Sequence, residues 1–239
     1  YLLEQLQTAT QAENAPAVKE LLAKGANPGQ SGKLDAHSAL TIALSMDQMP
    51  LAYSMLPYLR NESFNTQQRA IFYTARRGDL ALLKALLELT GEQALEPHSP
   101  ATRCEIKEAI RYGHKTSVER LYNYRPDCQD QLLLTSIQYA QPEIFSWLLN
   151  RASTEQKQAL QNESYMSLAI QNGSLSLIKE LERLGNKYVS AAEATRAKQL
   201  AVLKYYVKTG KLKPTEENYK LIPIAAELDA VDILDYLKS

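Results

Sequence analysis

The sequence predicts an all-α solenoid built from about eight short helix pairs. Three observations carry this: an apolar doublet followed four residues later by more apolar residues recurs along the chain, a helix of the form apolar-x-x-small precedes each copy by about seven residues, and glycine or a polar residue punctuates the joints. Helices this short cannot bury their apolar faces alone, so each pair must lean on its neighbours.

The first pair shows the logic. Leu6 and Ala9 start one helix, which breaks near Glu13-Asn14. In the second, Val18, Leu21 and Leu22 make an apolar stripe while Lys19, Glu20 and Lys24 face water. Gly25 then ends it, because glycine adopts the left-handed conformation after a helix without steric cost. Further second helices are read from Leu82-Leu83 with Leu86-Leu87, Ile144-Phe145 with Leu148-Leu149, and Leu177-Ile178 with Leu181. Degenerate copies are Ala52 with Met55-Leu56, Val118 with Leu121-Tyr122, Val202-Leu203 with Tyr206-Val207, and Ile233-Leu234 with Leu237. The matching first helices start near Leu6, Leu40, Ile71, Ile106, Leu133, Met166, Ala191 and Ile222, and the mean spacing is about 31 residues. Ala9, Ala43, Ala109, Ala169, Ala194 and Ala225 supply the small positions where helices must approach closely.

On these residues the chain resembles the ankyrin family, whose repeat follows T-P-L-H-x-A-A-x-x-G-H-x-x-V-V-x-x-L-L-x-x-G-A, with a period of roughly 33 residues. "AVKELLAKGANP" (17–28), "ARRGDLALLKALL" (75–87), "RYGHKTSVERL" (111–121) and "LAIQNGSLSLIKEL" (168–181) fit that pattern, with Gly113-His114 the most telling pair. No T-P opens a first helix; Ser38-Ala39 and Ser164-Tyr165 are the nearest substitutes. The resemblance implies one ankyrin-like helical-hairpin solenoid domain over residues 1–239. Between Tyr122 and Leu133, and between Glu182 and Ala191, the connection is too short for a β-hairpin finger, so plain turns are expected there. Pro126-Asp127, Gly210 and Pro214 mark other inter-repeat loops. Glu13, Asp47 and Asp229 stand where an ankyrin repeat usually has glycine between its helices and are read as polar caps.

Composition narrows the function. Lys plus Arg (27) equals Asp plus Glu (27), so no global charge recommends nucleic acid or a membrane surface as partner. No apolar run approaches the roughly 18 residues of a membrane span, and a soluble chain is expected. It starts at Tyr1 with no charged leader segment, and reads as a piece of a longer polypeptide. Two cysteines, Cys104 and Cys128, suit a reducing, cytoplasmic compartment. A zinc set could be drawn from His98, Cys104, His114 and Cys128, but the spacings match no short metal clip, and no metal or cofactor is expected. Neither a Gly-rich phosphate loop, G-x-S-x-G, H-E-x-x-H nor an EF-hand loop occurs, and no catalytic residue is assigned.

A stacked solenoid offers instead an extended concave surface suited to a macromolecular partner. In ankyrin proteins that surface is lined by the ends of the first helices. The resemblance therefore assigns partner binding to Arg76, Arg77, Arg111, Tyr112, Gln138, Tyr139, Gln171 and Asn172, as one strip. Arg and Tyr are enriched at interface hot spots because each joins large contact area to directed hydrogen bonds. A protein segment with acidic or amide side chains is the expected partner of a monomeric chain. Trp147, the only tryptophan, is expected to pack between repeats, and Tyr53, Tyr58, Tyr122 and Tyr124 to fill space there.

Two other readings stand beside this one. The repeats could position a substrate for a catalytic domain outside this sequence. Alternatively the segment from Arg196 to Lys213, with Lys198, Lys204, Lys208 and Lys211 and no acidic residue, could bind an anionic ligand. The irregular, Gln-rich copies also resemble ankyrin arrays of bacterial effectors secreted into eukaryotic hosts, which would place the chain in a host cytosol.

Overall fold

The computed structural model describes residues 1–31, 37–59, 64–90, 104–124 and 129–238. They form seventeen α-helices in two compact units, Tyr1–Gln129 and Asp130–Ser239. Among the described residues there is no β-strand, only one isolated pairing between Ser31 and Ser38. None of the helices found is long and apolar enough to cross a membrane.

The first unit holds four helix pairs: α1 (Leu2–Gln11) with α2 (Ala15–Ala23), α3 (Ala39–Ser45) with α4 (Met49–Met55), α5 (Phe64–Arg77) with α6 (Leu80–Thr90), and α7 (Glu105–Arg111) with α8 (Lys115–Leu121). First helices pack on first helices in the order α1, α3, α5, α7, while among the second helices α2 packs on α4 and α6 on α8. The predicted doublets are the glue. Leu82, Leu83, Leu86 and Leu87 are all buried, as are Val118 and Leu121. Ala43 and Ala109 are fully enclosed, which lets successive first helices approach closely.

The second unit repeats the scheme. It holds α9 (Gln129–Gln138, whose first residue precedes the unit), α10 (Pro142–Leu149), α11 (Thr154–Ala159), α12 (Glu163–Gln171), α13 (Leu175–Arg183), α14 (Ala191–Arg196), α15 (Leu200–Lys208), α16 (Pro214–Glu227) and α17 (Val231–Lys238). Here α12, α14 and α16 form the first-helix row, and α10, α13 and α15 the second-helix row. Ile144, Phe145, Leu148, Leu149, Leu177, Ile178 and Leu181 are buried between them. Helix α11 was not expected, because TEQKQA has no apolar doublet. Its signal is a capping box, in which Ser153 Oγ accepts from the Gln156 N–H at 3.2 Å while Gln156 Oε1 accepts from the Ser153 N–H at 2.9 Å.

The most regular feature is the turn inside each pair. Glu13, Asp47, Gly78, Gly113, Ala140, Gly173, Lys198 and Asp229 all have φ between 51° and 78°. Seven intervals separate 13 from 229, so these turns recur about every 31 residues, the spacing read from sequence. After seven of the eight left-handed positions the next residue closes the turn onto the preceding helix: Asn14 N–H donates to the Ala9 carbonyl at 2.9 Å, and Gln48, Gln141 and Gln199 make the same bond to Ala43, Ser136 and Ala194 at 2.8 Å.

This geometry corrects the expectation that Glu13, Asp47 and Asp229 are helix caps. They occupy the left-handed position itself; in the first pair the cap is Asn14, whose Oδ1 accepts from the Ala17 N–H at 3.2 Å. Pro214 likewise opens α16 instead of marking a loop, since its missing N–H has no partner to lose at a first helical position. The plain turn expected between Glu182 and Ala191 is present, closed by Gly185 and by the buried Asn186. Pro126-Asp127 lies outside the described residues.

Candidate interaction surface

In the first unit, consecutive first helices deliver their last residues to one place. Arg76 and Arg77 end α5, Arg111 ends α7, and Tyr112 follows it; all four are exposed. The Tyr112 ring is 42% exposed, with the Arg76 guanidinium 5.3 Å and the Arg111 guanidinium 5.7 Å from its centroid. His114 lies near-parallel to the same ring, 14° between planes and 6.4 Å between centroids. Leu44, Ser45, Asp47, Tyr73, Arg76, Arg77 and Tyr112 line a groove of about 250 Å³. Arg77 is not free there: it forms an ion pair with Asp47 from the preceding turn. Arg111 faces Glu108 at 3.8 Å, too long for a direct hydrogen bond.

In the second unit, Gln138 ends α9 and Tyr139 follows it; Gln171 ends α12 and Asn172 follows it. Gln138, Gln171 and Asn172 are exposed and Tyr139 is half-buried. Two of these side chains already have internal work. Asn172 Nδ2 donates to the Ile137 carbonyl at 2.8 Å and the Gln138 carbonyl at 3.0 Å, and Gln171 Nε2 donates to Ser167 Oγ at 3.0 Å. The eight assigned residues thus fall into two groups of four, one in each unit.

Helix pairs stacked first on first and second on second, joined by left-handed turns, define a helical-hairpin array. Among solved structures, the ankyrin repeat domain of human ASB11 superposes on the chain with a TM-score of 0.56 at 17% identity, over 83% of this chain and 96% of that one. This chain has the ankyrin-repeat fold. No protein-family model matches it, and no curated protein matches it in sequence.

Within the ankyrin array, sequence reasoning missed a set of hydrogen bonds between neighbouring turns. The left-handed turn leaves carbonyls in the last turn of the first helix without a partner from the helix, and the next repeat supplies a donor. His114 Nε2 lies 3.0 Å from the Arg76 carbonyl, and Gln199 Nε2 donates to the Gln171 carbonyl at 3.0 Å. Asn172 does the same for α9. At the opposite ends of the second helices, Asn186 Nδ2 donates to the Leu160 and Asn162 carbonyls at 2.8 and 2.9 Å. The available signal was a polar amide or imidazole recurring at the turn of successive ankyrin copies.

The second-helix row of the second unit carries a second ladder. The Lys179 ammonium lies 5.6 Å and the Lys211 ammonium 5.3 Å from the Tyr205 centroid, and Lys204 sits 5.5 Å from that of Tyr236. Tyr205 donates its hydroxyl to Glu182 at 2.7 Å, and Glu182 pairs with Lys211. Burial, reinforced by that carboxylate, pushes the Tyr205 phenol up to about 12. Two of the six cations between Arg196 and Lys213 are therefore engaged by aromatic rings, and Lys198 forms the turn between α14 and α15.

Several tyrosines fall elsewhere than expected. Tyr53 and Tyr58 are 40% and 41% exposed, and Tyr53 donates to the Asp79 carboxylate at 2.8 Å; Tyr122 is half-buried, and the Tyr124 side chain is outside the described residues. The tyrosine that fills the core is Tyr206, fully buried. Trp147 is half-buried beneath Arg151, whose guanidinium lies 3.7 Å from the ring centroid. Of the possible zinc set, Cys104 is buried and His114 is bound to Arg76, while His98 and Cys128 lie outside the described residues.

Proposed function

We propose that this ankyrin array is a protein-interaction module that binds its partner through the exposed ends of its first helices, with 1–239 acting as one domain. The observation that supports this most is Tyr112. A large ring left 42% exposed beside a groove, and held by two guanidinium groups, has the composition and preorganisation of an interface anchor. Tyr139, at the equivalent position after α9, is the matching candidate in the second unit.

The test is affinity capture with the intact chain, the bound proteins being identified by mass spectrometry. Tyr112→Ala should lose a partner that the unaltered chain retains, with the melting temperature lowered by only a few degrees, since two exposed cation–π contacts are worth about 0.5–1 kcal/mol each and the core stays intact. Retention of the same set of proteins by Tyr112→Ala and by the Tyr112→Ala/Tyr139→Ala double variant would remove the proposal.

A further inference from the structure

We propose that the groove of the first unit receives an acidic peptide segment, one of whose carboxylates pairs with Arg76. This rests on the interaction reading above and names the chemistry of the partner.

Asp47 is the only carboxylate among the described residues of the groove's lining, and Arg77 pairs with it, so those two charges cancel. Arg76 has no carboxylate partner among the described residues; its guanidinium rests on Tyr112 alone. Arg111, on the other side of the same ring, pairs with Glu108 at 3.8 Å. The groove therefore carries a surplus positive charge at Arg76.

The Arg76 carbonyl is fixed by His114, and its guanidinium is laid against an aromatic face, so less rotamer freedom remains to be lost when an anion binds. The planar fork matches a carboxylate with two parallel N–H donors. Tyr73, Tyr112 and Leu44 give the groove apolar walls beside the cation, which favours an acidic residue flanked by apolar ones. Size points the same way. About 250 Å³ lies below the roughly 300–1,000 Å³ typical of small-molecule sites, but it admits a peptide side chain.

Fluorescence anisotropy of a fluorescein-labelled nonapeptide of alternating Glu and Leu, added to the intact chain, tests this. The Glu peptide should bind, and versions with Gln or Lys replacing Glu should bind at least about tenfold more weakly. Arg76→Glu should weaken the Glu peptide by about tenfold or more and Arg76→Gln by less, whereas Lys204→Glu/Lys208→Glu in α15 of the second unit should change nothing. Equal binding of the Gln and Glu peptides overturns the proposal, as does a phosphoserine version that binds tenfold more tightly than the Glu peptide. Loss of binding in Tyr112→Ala with none in Arg76→Glu removes the acidic partner and leaves the interaction surface standing. Indifference to both substitutions removes both.

Discussion

His114 stands where a side chain on Gly78 would have to go. A Cβ built on Gly78 would lie 2.3 Å from His114 Nδ1, and the same imidazole reaches the Arg76 carbonyl, 3.0 Å from Nε2. A carbonyl can only accept, so Nε2 carries the proton of this bond. Gly78 thus serves twice, supplying a φ of +78° and vacating the space through which one repeat ties down the next. Gly173 and Gln199 repeat the relationship, with a Cβ 2.1 Å from Oε1.

Gly78→Ala should therefore cost more than Gly25→Ala. Both impose left-handed strain of about 1–2 kcal/mol, but nothing lies within 4 Å of a Cβ at Gly25. At Gly78 the His114 contact must also break, adding about 0.5–1.5 kcal/mol. In Gly78→Ala/His114→Ala the two losses should sum to less than the singles, because one bond is removed twice. Urea midpoints of the four proteins measure this; equal costs at Gly25 and Gly78 would show that the His114 contact contributes nothing.

Ala140→Gly and Lys198→Gly should each stabilise the chain by about 0.5–1 kcal/mol, relieving left-handed strain at φ 52° and 57° against a smaller gain in unfolded-state entropy. Asp47→Gly, at φ 66°, should come out near zero, because the strain relieved is offset by loss of the exposed Arg77 pair, worth about 0–1 kcal/mol. Denaturant titration distinguishes the three, and a destabilised Ala140→Gly would contradict the strain argument.

Alkaline unfolding should involve Tyr205. Its folded-state value of about 12 lies above the ordinary phenol near 10, so the stabilisation is complete below pH 10 and is lost as pH rises from there through 12. Tyr205→Phe should flatten the fall of the unfolding midpoint over that interval, measured by circular dichroism from pH 9 to 12. An unchanged slope would mean that the Glu182 contact does not survive in solution.

A single domain over 1–239 should unfold in one step. Trp147 reports on the second unit alone and far-ultraviolet circular dichroism on every helix, so the two thermal transitions should coincide. Separated midpoints would divide the chain into two independently folding pieces.

The repeat was legible because periodicity survives degeneracy. A position such as Ala140 or Lys198 carries no turn signature of its own, yet counting from the apolar doublets puts it at a joint. The same counting located Arg76, Arg111, Tyr112, Gln138 and Gln171 at helix ends. It was blind to α11, whose six residues have no buried face and whose capping box lies outside the repeat pattern.

What the amino-acid order determined by itself is the unit: two short helices, their buried doublets, and a left-handed joint about every 31 residues, all dictated by local sterics and the need to hide apolar faces. Tertiary structure decided which polar side chains stay available. Arg77 is neutralised by a carboxylate thirty residues earlier, Asn172 is turned inward onto α9, and Arg76 leans on the Tyr112 ring. Such pairings depend on which turns stack side by side, and no local preference of the chain encodes that.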